Sequence, residues 1–216
     1  MKDSNLRPGV VTISAASALA LFTLAGCGKP GPAGPQWDFV KVDQGGAELA
    51  VEIPAHECAL DRRTGLLWEA RTTAAESPRD VFTWYNADAD SHLGFPGVED
   101  GGECGLARCD TEAYAAAANS AAWCGRSDWR MPSRDEFLTL VDPARIGHGP
   151  TLDPVYFPGT TAGEYWTGTT FTMYPQGAWA IDTIYAQDRV DWKSNAKHVK
   201  LVSGSKTAVK PKGRGR

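Results

Sequence analysis

The pattern of hydrophobic and polar positions divides the chain into an uncharged N-terminal segment and a longer body of mixed polarity. No charged residue interrupts the stretch from Gly9 to Gly26, which follows Lys2 and Arg7. From position 37 onward, short apolar stretches alternate with polar and turn-forming residues. The pattern predicts an export segment followed by one folded domain.

Short apolar runs with polar turns between them predict β-strands in two parts of the body. The segment Cys58–Glu69 (CALDRRTGLLWE) has the pattern of a strand, a turn and a second strand. After Pro154, the runs YWTGT, AWAIDT, RVDW and KHVKLVS are rich in aromatic and β-branched residues. We expect these later runs to form one antiparallel meander.

Two helices are predicted between these β regions. Asp110 can cap a helix through the alanine-rich stretch that ends at Cys124. Ser133 and Glu136 form a capping-box pattern at the start of RDEFLTLVD, and Pro143 stops that helix. Strands, helices and strands in this order predict a single α+β domain with two helices.

The N-terminal segment has the features of a bacterial lipoprotein signal. Small residues, Ala25 and Gly26, precede Cys27, whose thiol would carry the lipid. A plain secretory signal and a membrane-spanning anchor are the alternatives, but the stretch is short for a span. Because Gly28 rather than Asp follows Cys27, we expect a lipid-anchored protein of the cell envelope, at the outer membrane of a Gram-negative bacterium.

Composition sets the remaining boundaries. We assign residues 1–27 to the signal, residues 28–36 (GKPGPAGPQ) to a Pro/Gly-rich linker, residues 37–203 to the domain and residues 204–216 to a basic tail. The domain carries 14 Lys and Arg against 25 Asp and Glu, a net charge of −11. Such an acidic body argues against nucleic-acid binding, which needs a basic docking face.

Four cysteines remain when Cys27 is assigned to the lipid. An even number in an oxidising compartment favours two disulfides, and the spacings lack the paired C-x2-4-C knuckles of a zinc site. Three pairings are open to four cysteines. We favour Cys104–Cys109, which closes the short loop CGLARC, with Cys58–Cys124, which ties a strand to the end of a helix.

Several short motifs occur in order along the body. They are TGLLW (64–68), TWYN (83–86), AAWCG (121–125), DWRMPS (128–133), YFP (156–158), YWT (165–167), AWAID (178–182) and VKLV (199–202). This set resembles the Lcl C-terminal domain family of bacterial exported domains over residues 57–204. The resemblance implies a surface module that binds sulfated polysaccharide as a trimer and, more distantly, a C-type-lectin-like fold.

The sequence departs from these implications in two ways. A body with a net charge of −11 should repel sulfated chains, so any affinity for polyanions would lie in the basic tail. The linker also parses as only three Gly-X-Y triplets, which cannot hold a collagen triple helix.

Calcium is the one cofactor that the sequence raises. Asn86, Asp88 and Asp90 alternate like the ligands at the start of a calcium loop. Ser91 stands where an EF-hand requires Gly, and Gly97 stands where it requires Glu. A plain polar loop is therefore the alternative interpretation.

The aromatic residues suit a carbohydrate site, because sugar rings stack on exposed aromatic side chains. The residues that we interpret as packing residues lie within the family motifs: Trp68, Trp129, Trp166 and Trp179. We expect Tyr85, Tyr174 and Trp192, which lie beside predicted loops, to face a ligand.

The sequence contains no recognisable catalytic motif. Its four histidines lie in neither a G-x-S-x-G nor an H-E-x-x-H pattern. We therefore expect a non-catalytic module that binds carbohydrate or another envelope or host polymer. The alternatives are a lipoprotein that binds an envelope protein and a hydrolase that acts on a cell-wall polymer.

Overall fold

The computed structural model of the chain describes residues 37–70 and 79–205. The predicted signal with Cys27, the linker and the basic residues of the tail lie outside these ranges. Within the described ranges, no helix has the length and apolarity needed to cross a membrane.

Eleven strands and three α-helices make up the described part of the chain. The strands are β1 (Phe39–Val42), β2 (Glu48–Leu49), β3 (Cys58–Asp61), β4 (Leu66–Glu69), β5 (Phe82–Thr83), β6 (Trp129–Arg130), β7 (Glu164–Thr170), β8 (Gly177–Asp182), β9 (Gln187–Trp192), β10 (Ala196–Lys197) and β11 (Val202–Ser203). The helices are α1 (Ala89–His92), α2 (Thr111–Ser120) and α3 (Arg134–Leu138). Two short 3₁₀ helices cover Trp123–Gly125 and Pro143–Arg145.

The named strands pair in three antiparallel sheets. The first sheet has the order β2-β1-β3-β4-β11-β6, the second the order β10-β5 and the third the order β7-β8-β9. Strands β3 and β4 form the predicted hairpin, with Cys58 opposite Glu69. The α+β class is confirmed, whereas the C-type-lectin-like likeness stays a prediction.

The hydrophobic core covers both faces of β4, which explains the continuous apolar run in this strand. Leu66 and Trp68 belong to one buried cluster, together with Phe137 of α3. Leu67 points to the opposite face, into a cluster that contains Tyr114 of α2. A third cluster forms under the third sheet from Trp84, Trp166, Ala178 and Ala180.

Two disulfides fix the segments around α2. Cys58 of β3 is bonded to Cys124, and Cys104 is bonded to Cys109. These are the two bonds that the spacing of the cysteines favoured.

Both predicted helices are present, as α2 and α3, and an additional short helix forms at Ala89–His92, where Asp88 accepts a hydrogen bond from Asp90 N as the N-cap. The other two are shorter than expected. Helix α2 ends at Ser120, because Ala122 and Cys124 adopt positive φ angles on the way to the disulfide. Helix α3 ends at Leu138, before Pro143.

The predicted meander is right for three strands and wrong for the last run. Strands β7, β8 and β9 pair in sequence, but KHVKLVS leaves their sheet. Its first part, β10, pairs with β5. Its second part, β11, inserts between β4 and β6, with Val202 opposite both Trp68 and Arg130. These are pairings between distant parts of the chain, which local patterns do not encode.

Candidate functional site

Four aromatic side chains lie together on one face of the third sheet, where the β7–β8 loop meets the end of β9. We call Phe171, Tyr174, Trp179 and Trp192 the aromatic face. Tyr174 and Trp192 are 62% and 61% exposed, whereas Phe171 and Trp179 are partly buried. Large apolar side chains that are exposed as a group mark binding surfaces.

The register between β8 and β9 places Trp192 on this face. Gly177 lies directly opposite Trp192, and Trp179 lies opposite Val190. Because opposed residues of an antiparallel pair share a face, Trp179 and Trp192 are diagonal neighbours. Gly177 has no side chain, and a Cβ added there would come within 2.7 Å of Val190 Cγ1. No side chain therefore faces the Trp192 indole from the directly opposed position on β8.

The β7–β8 loop supplies the other two rings. Its backbone is closed by hydrogen bonds from Phe171 N to Gly177 O (2.9 Å) and from Gly177 N to Tyr174 O (2.8 Å). The Phe171 ring meets the Trp179 ring edge-on, with 5.4 Å between centroids. The same ring lies 6.0 Å from the ring of Tyr174. The loop thus joins Tyr174 to the rings on the sheet.

The interpretation of Trp179 as a packing residue is wrong in part. Its neighbours on the strand, Ala178 and Ala180, turn to the tryptophan-rich core, so the strand directs the indole of Trp179 to the opposite face. There it contacts Phe171 and remains partly exposed. The other three tryptophans that we interpreted as packing residues are buried: Trp68, Trp129 and Trp166.

Arg134 brings a charged group to the aromatic face. The carbon of its guanidinium lies 4.6 Å from the ring centroid of Trp179, as in a cation–π contact. The same group forms an ion pair with Asp188 of β9, which lies opposite Ile181 and so shares the face of Trp179. Hydrogen-bond donors and acceptors thus stand beside an apolar platform.

A capping box holds Arg134 in place. Arg134 is the first residue of α3, and its backbone N donates to Thr169 Oγ1 at 3.0 Å. Ser133 Oγ accepts from Glu136 N at 3.2 Å, and a Glu136 carboxylate oxygen accepts from Ser133 N at 2.8 Å. Arg130 donates to both carboxylate oxygens of Glu136 at 2.8 Å. The motif WRMPSRDE therefore fixes the helix start that carries Arg134.

A buried lysine fastens the segment after α1 to the end of β9. Lys193 Nζ donates to the carbonyls of Phe95 at 2.6 Å and His92 at 3.4 Å. It lies 3.8 Å from the ring centroid of Trp84, and Lys193 N donates to Gln176 O at 3.0 Å. Burial lowers the pKa of Lys193 from 10.5 to about 8.

Replacing Lys193 with Met should change how stability depends on pH. Because the folded-state pKa of Lys193 is about 8 and its ordinary value is 10.5, the unfolded wild-type chain binds more protons between these pH values. The free energy of unfolding of the wild type should therefore rise relative to that of Lys193→Met as pH rises through this window. Urea denaturation of both proteins at several pH values measures it, and a constant difference would contradict the buried position of the ammonium.

Tyr85 does not join the aromatic face. It lines a cleft of about 230 Å³, which is also lined by Asn86, Ser91 and Glu112. Its hydrogen bond with Glu99 raises the pKa of the Tyr85 hydroxyl. The structure therefore places Tyr174 and Trp192 at the same end of the third sheet and Tyr85 in a separate cleft.

The candidate calcium ligands surround the start of α1. Asn86 Oδ1 accepts from Asp88 N at 2.8 Å, and Asp88 accepts from Asp90 N at 3.2 Å and from Ser91 Oγ at 2.6 Å. Capping of a helix thus accounts for the alternating pattern. The described residues contain no group of three or more His, Cys, Asp or Glu that could hold a metal ion. Calcium binding stays a prediction.

Three residues of the site could not be predicted from the sequence. Phe171 carries no motif, and Arg134 and Asp188 come together only in the fold. The exposure of Trp179, by contrast, had a signal in the alternation of AWAID, since Ala178 and Ala180 are small enough to pack on a tryptophan core and leave Trp179 on the other face.

One protein-family model matches more than half of the chain. The family model of the Lcl C-terminal domain matches residues 57–203. The matched range contains both disulfides and the whole aromatic face. No curated protein matches the chain, and no solved structure matches it either.

Proposed function

The chain belongs to the Lcl C-terminal domain family of bacterial exported surface domains, and we propose that its aromatic face recognises carbohydrate. The observation that carries the proposal is the grouping of four aromatic side chains, two of them more than half exposed, on one face of a sheet. The apolar faces of sugar rings stack on such side chains.

The charged groups beside the rings fit the same ligand. The guanidinium of Arg134 can donate to sugar oxygens, and the carboxylate of Asp188 can accept from sugar hydroxyls. The Arg134 guanidinium lies over the Trp179 ring and pairs with Asp188, and the two side chains are about one-third exposed, at 35% and 30%. A ligand on the rings can reach them without a change in the fold.

The N-terminal segment suggests where in the cell the domain would bind its ligand. We propose that lipid on Cys27 anchors the chain in the outer membrane and that residues 28–36 separate the domain from the lipid surface. The lipid would hold the domain at the envelope, where polysaccharides are abundant. Phase partitioning of Cys27→Ser into the aqueous rather than the detergent phase would support the anchor.

Replacing Trp192 with Ala should weaken carbohydrate binding about 10- to 100-fold, the range of about 1–3 kcal/mol that an aromatic anchor contributes at an interface. Trp192 is 61% exposed, so its removal should leave the fold intact. The measurement is calorimetric titration of the full chain, purified in detergent, with uncharged oligosaccharides of glucose and of N-acetylglucosamine.

Tyr185→Ala is the matched control for this variant. Tyr185 is 57% exposed, but it lies in the β8–β9 turn at the opposite end of the same sheet. The affinity of Tyr185→Ala should equal that of the wild type. Equal losses in both variants, or none in Trp192→Ala, would contradict a site on the aromatic face. A protein that co-purifies through Trp192 without any glycan binding would favour a protein partner instead.

A further inference from the structure

Two neighbouring clefts lie around α1. One cleft, of about 320 Å³, lies between α1 and β7, and the other, of about 230 Å³, lies between α1 and α2. Ser91, Met131 and Gly168 line both of them. The shared residues place the two clefts next to each other, and we call them together the groove.

The groove leads from Tyr85 to the aromatic face. Tyr85 lines the far cleft, and Ser133 and Thr169 line the near one. Arg134 follows Ser133 in the chain, donates its backbone N–H to Thr169 Oγ1 at 3.0 Å and stacks on Trp179. Arg134 therefore connects the near cleft to Trp179 of the aromatic face.

The groove offers neutral polar groups rather than free positive charge. The hydroxyl and amide groups along it belong to Asn86, Ser91, Ser133, Thr169 and Thr170. Such groups can donate to and accept from sugar hydroxyls, whereas recognition of sulfate favours cations.

The charged side chains of the groove disfavour a polyanion. Asp90 lines the near cleft and Glu112 the far one, so a sulfated chain would meet two carboxylates. The arginine that lines the far cleft, Arg130, is paired with both carboxylate oxygens of Glu136. At the aromatic face, Arg134 is paired with Asp188.

We propose that the groove and the aromatic face together bind one extended, uncharged polysaccharide chain, with successive sugars placed from Trp192 to Tyr85. This inference rests on the proposed carbohydrate function and adds the length and charge class of the ligand. The ligand differs from the sulfated polysaccharide that the family resemblance implies, because the acidic lining of the groove selects against it.

The test is a length series on the unmodified full chain, purified in detergent. The probes are oligosaccharides of glucose and of N-acetylglucosamine with two to eight sugars, and heparin is the sulfated comparison. The affinity for the longest uncharged probe should exceed that for the disaccharide by about 10-fold or more, since additional sugars fill the groove. Heparin should not displace the longest uncharged probe, because heparin that binds the basic tail leaves the groove free.

Tyr85→Ala separates the groove from the aromatic face. This variant should lose about 10-fold in affinity for the longest probe and keep the wild-type affinity for the disaccharide, which the aromatic face holds alone. Thermal unfolding of the variant checks that it is folded. The length series on the wild type tests the groove independently of this variant.

The outcomes distinguish the inference from the proposed function. Equal affinities for short and long uncharged probes, still sensitive to Trp192→Ala, would overturn the groove and leave the aromatic face as the site. Displacement of the longest uncharged probe by heparin, together with heparin binding that Tyr85→Ala weakens, would overturn the charge class. Absence of binding to all probes would overturn the proposed function and the inference together.

Discussion

Replacing Glu136 with Ala is expected to lower the free energy of unfolding by about 3 kcal/mol, because it leaves the buried end of Arg130 without its carboxylate. Glu136 is 2% exposed and accepts two hydrogen bonds from Arg130 and one from Ser133 N. Arg130 also donates to Gly204 O, so the carboxylate supports the junction of β6, α3 and the end of β11. Urea denaturation of both proteins measures the loss.

Acidification should also lower the free energy of unfolding. Burial opposes the ionisation of Glu136, but hydrogen bonds from Arg130 and Ser133 hold the pKa of this carboxyl below its usual range. The stabilisation is therefore present at neutral pH and is lost as pH falls through the lowered pKa.

Asp135→Ala is the matched control for Glu136→Ala. Asp135 is the preceding acidic residue on the same turn, but its side chain is 72% exposed and pairs only at the surface with Arg134. Its replacement should change the free energy of unfolding by no more than about 0.5 kcal/mol. Equal effects of the two replacements would show that the buried pair does not hold this junction.

Removal of the Cys58–Cys124 disulfide is the second change with a large expected effect. The bond links residues 66 positions apart, so its loss should lower the free energy of unfolding by about 4 kcal/mol in the chain-entropy account. The bond also ties β3 to the turn after α2, where Cys124 is 2% exposed. The variant Cys58→Ala with Cys124→Ala, measured by thermal and urea denaturation, tests this expectation.

The second disulfide provides an internal comparison. Cys104–Cys109 closes a loop of sequence separation 5, and the same account gives about 2 kcal/mol for it. The double variant at Cys104 and Cys109 should therefore be the more stable of the two. If the double variant at Cys104 and Cys109 were the less stable one, the short loop would contribute more to stability than the long loop, which would contradict this expectation.

Local signals in the sequence were sufficient for the elements that depend on neighbouring residues. The capping box at Ser133 and Glu136 fixed the start of α3, and the turn residues between Cys58 and Glu69 gave the β3–β4 hairpin. The helix start and the hairpin turn both depend on hydrogen bonds between residues that are close together in the sequence. The predicted end of α2 is wrong, because the disulfide to Cys58 determines the backbone at Cys124 and is a contact between distant segments.

Non-local pairing explains why the site was predicted only in part. Tyr174 and Trp192 could be suggested as exposed because turn residues flank them. Their meeting on one face depends on the β8–β9 register, and the exposure of Trp179 depends on what covers the other face of β8. In the same way, Asp88 caps α1, a short helix that the alternating oxygen pattern did not predict, and Asn86 accepts from the backbone N of Asp88.

The central claim is that carbohydrate stacks on the aromatic face, and the indole N–H signals of the eight tryptophans test it most directly. NMR spectra of the full chain in detergent are recorded during titration with the N-acetylglucosamine and glucose oligosaccharides. We predict that the signals of Trp192 and Trp179 shift and saturate together, while those of the fully buried Trp68 and Trp166 stay in place. Shifts confined to other tryptophans, or none at the highest ligand concentration, would contradict the claim.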